Sequence, residues 1–310
     1  MARGMRLNGF TLALAGLAMS GLADMAALSA ERTACVEASR RFESQIGQLN
    51  AIEINNMLFA AAENDCEAVA LRLLDNRASL EARDREGNRA LARAARAGRA
   101  GMVRLFLEKR AEIDARNIIG STALYLAAEN DRGQVVSILL AAGANINLPG
   151  RSGERPLAAA AYHGAETAVE ALLARGAEAN AADVTGKTAL AYAAAAGWTK
   201  VAERLISAGA DVNQRQGHGT TVLGWAAGHP EEVGEAQAVE VVRLLLANGA
   251  RIEDVDDRGR TALMVAAETG HAEIADVLLA TGALRAPLDA AGKTAADLAV
   301  STALREKLQP

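Results

Sequence analysis

The stretch GSTALYLAAENDRGQVVSILLAAGANIN, Gly120–Asn147, decides how the rest of the chain is read. It opens on a glycine, sets Thr122 directly before a short alanine-rich run, and continues to a leucine pair, Leu139 and Leu140, and then Gly143. A threonine ahead of an apolar run can accept from the unpaired N–H groups that begin a helix. A glycine after such a run can take the left-handed conformation that stops one. Two short helices joined by a turn are therefore expected, and a unit this small cannot bury its apolar face alone.

The unit recurs. Its opening glycine returns as Gly87, Gly120, Gly153, Gly186, Gly219, Gly259 and Gly292, at spacings of 33, 33, 33, 33, 40 and 33. Threonine holds the capping position at Thr122, Thr188, Thr221, Thr261 and Thr294. Helix-stopping glycines follow at Gly143, Gly176, Gly209, Gly249 and Gly282, and Asp183, Asp256 and Asp289 are placed to turn the chain into the next unit.

The pattern G-x-T-A-L-x-x-A-A followed by L-L-x-x-G-A-x-(V/I)-N resembles the ankyrin repeat, most completely in Gly120–Asn147 and Gly186–Asn213. The resemblance runs from about Asn55 to the C-terminus, with a degenerate first repeat, six full ones and a truncated last one from Asp289. It implies an all-α solenoid of helix–turn–helix repeats with short β-hairpin or turn tips. The expected organisation is a signal peptide over 1–30, a helical capping segment over 31–54 and the array over 55–310. The family's T-P-L-H motif keeps its proline only at Pro156. Its histidine position is held by Ala92, Tyr125, Ala158, Ala191, Gly224 and Met264, so the hydrogen bonds that histidine makes between repeats are expected to be missing. Apolar stacking must compensate.

Half the residues are apolar but only 3% are aromatic, so alanine and leucine must build most of the core. A net charge of −5 gives no reason to expect nucleic acid or an anionic membrane as partner. Arg3 and Arg6 precede the apolar run Phe10–Ala23, the parts of a secretory signal peptide, with cleavage after Ala23 or near Ser29 and Ala30. Export to the periplasm is expected, with no stable membrane insertion once the signal is removed. The alternative is an uncleaved inner-membrane anchor facing the periplasm. In an oxidising compartment Cys35 and Cys66 are either a disulfide or two separate thiols, and the sequence leaves both open.

No nucleophile–base pairing, phosphate-cradling loop or zinc spacing stands out, so no enzyme, cofactor or metal is expected. The resemblance implies instead a monomeric, non-catalytic scaffold that binds another protein on a concave face. The two positions after each alanine pair should lie on that face. They supply the candidates Arg96, Glu129, Asn130, Tyr162, His163, His229 and Glu268, with Tyr162 and His163 as anchors because aromatic side chains bury much area at low entropic cost. Trp198 is expected to pack between repeats and Trp225 in the core. An immunity or inhibitor protein for a secreted toxic enzyme and an envelope-stress accessory are the alternatives, separable by gene neighbourhood.

The single 40-residue spacing contains GHPEEVGEAQ, Gly228–Gln237. Its histidine and three glutamates look like a catalytic or metal cluster. Repeat phase instead places seven extra residues in the turn between two helices, within about Pro230–Ala238. Glu231 and Glu232 are then candidate partner contacts at the rim.

Overall fold

A computed structural model of the chain describes residues 33–45, 47–230 and 233–309. Helix α1 covers 33–45. Pairs of helices follow: α2 (Ala51–Glu63) with α3 (Glu67–Asp75), α4 (Ala90–Ala97) with α5 (Ala100–Glu108), α6 (Ala123–Glu129) with α7 (Gly133–Ala141), and α8 (Pro156–Tyr162) with α9 (Glu166–Ala174). The series continues through α10 (Ala189–Ala195) with α11 (Thr199–Ser207), α12 (Val222–Ala227) with α13 (Glu235–Ala247), and α14 (Ala262–Thr269) with α15 (Ala272–Ala280). The short α16 (Ala295–Leu298) and α17 (Thr302–Leu308) close it. The fold is all-α; among the described residues the sole trace of sheet is an isolated antiparallel bridge between Ala182 and Thr188.

The local signals act as their chemistry requires. Thr122, Thr188, Thr221, Thr261 and Thr294 each accept at the side chain from the backbone N–H three residues on. Asp183 Oδ1 accepts from the N–H groups of Thr185 and Lys187, and Asp256 and Asp289 brace their turns in the same way.

Each first helix packs on the next first helix, and each second helix on the next second helix. The alanine pairs Ala127–Ala128, Ala160–Ala161, Ala193–Ala194 and Ala226–Ala227 are fully buried, which lets the first helices approach closely. The second helices contribute Leu73, Phe106, Leu139, Leu172, Leu205, Leu245 and Leu278, all fully buried and following the repeat spacing. The core is therefore one continuous apolar row, held by neighbours alone.

The tips are stitched too. The N–H of Ile118 donates to the Glu86 carbonyl at 3.1 Å, that of Asp257 to His218 at 3.1 Å and that of Ala290 to Arg258 at 2.8 Å. Gly186 shows why glycine opens the unit. It sits at φ +80°, and a Cβ there would lie 2.9 Å from the backbone nitrogen of Gly217 in the next tip. Gly186→Ala should cost about 1–2 kcal/mol for the left-handed backbone alone, and more for the clash. Chemical denaturation checks this, and a variant as stable as the parent would contradict the tip geometry.

At the N-terminal end, the sulfurs of Cys35 and Cys66 are bonded, with Cα atoms 5.3 Å apart. Phe42 is buried, and Arg72 of α3 pairs with Glu43 and bonds Ser39. These contacts hold α1 over the first helix pair.

The inserted residues are divided between turn and helix. Between α12 and α13 lie residues 228–234, where other pairs have about three connecting residues, and α13 has 13 residues where α9 and α11 have nine. The expectation of a pure turn insertion is thus corrected. EAQAVE continues the helix backward by about one turn because alanine and glutamate favour helix.

Candidate partner-binding surface

The first helices and the tips share one side of the array. In its middle, aromatic and charged side chains from successive repeats form a connected row. Tyr162, at the end of α8, is 52% exposed and meets His163 edge-on at 5.1 Å between ring centroids and Tyr192 of the next repeat at 5.8 Å. Lys187 Nζ lies 5.2 Å from the Tyr192 ring centroid and 4.0 Å from that of Trp225, one repeat further on. One lysine thus bridges two rings through cation–π contacts. Trp198 Nε1 donates to the Tyr162 carbonyl at 2.9 Å, which fixes the end of α8 from the second-helix side.

Carboxylates line this row. Glu129 stands 3.6 Å from His163 Nε2, and Glu154 accepts from the Tyr125 hydroxyl at 3.0 Å. Asp183 accepts from the Tyr192 hydroxyl at 2.5 Å. Burial alone would push the Asp183 carboxyl up, but hydrogen bonds from Tyr192, Thr185 and the backbone of Lys187 and Thr185 hold it below the ordinary range. Burial, the Asp183 hydrogen bond and its charge push the Tyr192 phenol above its ordinary value. Burial also opposes ionisation of Asp84 and Asp256, yet backbone donors at Asn88 and Arg260 and the guanidiniums of Arg93 and Arg260 hold both carboxyls low.

All three aspartates therefore have folded-state values below their unfolded ones. Their contribution is complete above the unfolded value of about 4 and is lost as pH falls through the lower folded values. The midpoint of urea unfolding should stay level from neutral pH down to about pH 5 and fall below about pH 4. Asp256→Asn should flatten part of that fall. A midpoint independent of pH down to about 2 would contradict the reading.

The candidate residues divide. Tyr162, His163 and Glu129 come together in the central row. Arg96 pairs with Glu63 and Glu86, while Glu268 pairs with Arg260 and Arg258, so both charges are engaged within the array. Asn130 donates to the Leu126 carbonyl at 2.8 Å and closes its own helix. His229 is corrected: it is only 5% exposed, stacked on His271 at 3.7 Å, with Nδ1 donating to the Pro230 carbonyl at 2.9 Å. His271 stacks over the ring, so the His229 side chain is not open to a partner. Glu231 and Glu232 lie outside the described residues, as does the signal segment over 1–30.

Residue phase missed Tyr192 and Trp225. Both occupy the fourth position after the cap, in a row that reads Arg93, Leu126, Ala159, Tyr192, Trp225 and Val265. Reading that row across repeats would have found them. Trp225 is half-buried: it packs against the core, as expected, and also carries Lys187 over its ring. No group of three His, Cys, Asp or Glu side chains able to hold a metal ion occurs among the described residues.

Family models described as ankyrin repeats match residues 73–127, 110–183, 157–236 and 232–308, and so run without a gap from 73 to 308. The chain belongs to the ankyrin-repeat family. Among solved structures, the ankyrin repeat domain of human ASB11 superposes on it with a TM-score of 0.63 at 25% identity, covering 70% of this chain and 95% of that one. No curated protein matches the chain. Ankyrin repeats mark a protein–protein interaction scaffold, and a row of one exposed and two half-buried aromatic rings on the first-helix side suits that role.

Proposed function

We propose that this ankyrin-repeat protein is a non-catalytic scaffold of the periplasm that binds one protein on the concave face formed by its first helices and tips. The observation that carries this reading is the row Tyr162, Tyr192, Lys187 and Trp225, which offers rigid aromatic area beside satisfied carboxylates. Binding energy concentrates in such buried or half-buried aromatic anchors, while charged rims set orientation. Export is supported by Arg3, Arg6 and the apolar run Phe10–Ala23, and by the bonded pair Cys35–Cys66, which suits an oxidising compartment. Among the described residues no helix is long and apolar enough to cross a membrane.

The test has two arms. Cell fractionation with sequencing of the mature N-terminus should recover the protein in the periplasm beginning between about residue 24 and residue 31. Quantitative affinity capture from that fraction should recover a partner with the parent chain and lose it with Tyr162→Ala combined with Trp225→Ala. Equal recovery by both chains, each shown folded by circular dichroism, would refute the concave-face reading.

A further inference from the structure

The second-helix side of the array carries a groove that the concave-face reading does not use. Between α9 and α11 lies an opening of about 710 Å³, lined by Glu166, Glu170, Leu173, Lys200, Glu203 and Arg204. Around the N-terminal end of α11 it meets a second opening, of about 230 Å³, which Trp198, Val201, Gln237 and Glu240 line. Glu166 and Lys200 border both, so the two form one bent channel around α11.

The insertion builds one wall of this channel. Gln237 belongs to the helical turn that lengthens α13, and Glu240 follows directly on the same helix. On the other side, a Cβ at Gly164 would lie 2.6 Å from the Trp198 ring, so the indole rests flat on bare backbone. With its Nε1 bonded to the Tyr162 carbonyl the ring is fixed, yet it remains 42% exposed. A fixed, exposed indole is the side chain most often found as an anchor at interfaces.

The charges are not balanced. Arg204 pairs with Glu170, and Lys200 lies 3.8 Å from Glu166. Glu203 and Glu240 are exposed and have no ion-pair partner among the described residues, which leaves the channel two negative charges in excess. The floor is apolar, from Leu173, Val201 and Trp198. An indole face beside free carboxylates favours Lys or Arg, and the apolar floor favours an aliphatic side chain next to it.

We infer that this channel is a second docking site, on the second-helix side of the array, for a short basic protein segment that carries aliphatic residues. It stands whether or not the concave face binds a partner. The nine residues of α11 span about 13 Å, so a helical segment lying along it would be covered for two to three turns.

Trp198 and Trp225 are the two tryptophans of the chain, so Trp225→Phe leaves Trp198 as sole reporter. The full chain carrying that change is titrated with an amphipathic peptide of Lys, Arg, Leu and Ala, about twelve residues or about 18 Å as a helix. The control replaces every Lys and Arg of the peptide by Glu. The basic peptide should shift Trp198 emission saturably, with affinity falling as salt rises. Glu203→Lys with Glu240→Lys should weaken it at least about tenfold. Reversal of Glu108 and Glu306, which are exposed and outside the channel, should change it less than about twofold. If the reversed channel chain loses helicity, Glu203→Gln with Glu240→Gln removes the same charges without adding new ones and should weaken binding in the same direction. Equal weakening by the two pairs of reversals, binding of the acidic peptide, or displacement by spermine at matched charge would each overturn the proposal. Tyr162→Ala with Trp225→Ala reports on the concave face, so loss of partner capture in that chain leaves this result unaffected.

Discussion

Replacing Leu172 by alanine is expected to destabilise the array by about 2–5 kcal/mol. Leu172 is fully buried on α9, midway along the stack, between Leu139 and Leu205, which occupy the same position in the neighbouring repeats. In the same repeat Ala160, Ala161, Ala168 and Val169 are also fully buried, on α9 and on the α8 helix it packs against. Small residues have little side chain to swing into a vacancy, so the cavity should persist and its cost should sit toward the upper end. The one-dimensional architecture adds a consequence. A repeat bears only on its neighbours, so a weak central repeat can uncouple the two halves. Urea unfolding followed by circular dichroism should show an earlier midpoint and a broader or two-step transition. A change under about 1 kcal/mol would mean that the stack collapses around the site far better than its alanine-rich repeat allows.

The second large effect lies at the N-terminal end. The bond between Cys35 and Cys66 closes a loop with a sequence separation of 31. Removing such a cross-link frees unfolded-chain entropy worth about 3–4 kcal/mol in the loop-closure account. Cys35→Ala with Cys66→Ala should therefore loosen α1 and the α2–α3 pair before the rest. Hydrogen exchange should accelerate over residues 33–75 and change little beyond α6, because coupling passes only through neighbours. Uniform acceleration along the whole chain would contradict a solenoid held by nearest neighbours.

Most of the architecture is legible in the sequence because its determinants are local. Thr188 caps α10 through a bond three residues long, and Gly176 ends α9 at φ +83° because no side chain hinders it. The repeated leucine falls in the core because the same position meets the same neighbours in each unit. What the sequence conceals depends on reach between repeats. Tyr125 stands where the family has histidine, and its hydroxyl crosses to Glu154, 29 residues on, so one inter-repeat bond is replaced rather than lost. Gln216 likewise accepts from the N–H of Thr188 at 2.7 Å. Trp225 reads as core in an apolar helix, and only the position of Lys187 reveals it as part of a surface. His229 reads as a concave-face residue at the end of a first helix, and only the His271 ring stacked on it, 42 residues on, shows that it is covered.

GHPEEVGEAQ is altered most by the structure. Its histidine is packed away, and its last residues, Glu235–Gln237, are helix, with Gln237 lining a groove on the second-helix side of the array.

The central claim is that a protein partner is held on the first-helix face at the aromatic row. Site-specific photocrosslinking in living cells tests it most directly, with a photoreactive phenylalanine analogue in place of Tyr162 and, separately, in place of Glu306 on α17. Tyr162 lies in the row and Glu306 outside it, and both are exposed. The account predicts a single discrete protein adduct from position 162 that position 306 does not give. The same adducts from both positions, or none from position 162 while the protein is abundant and folded, would contradict it.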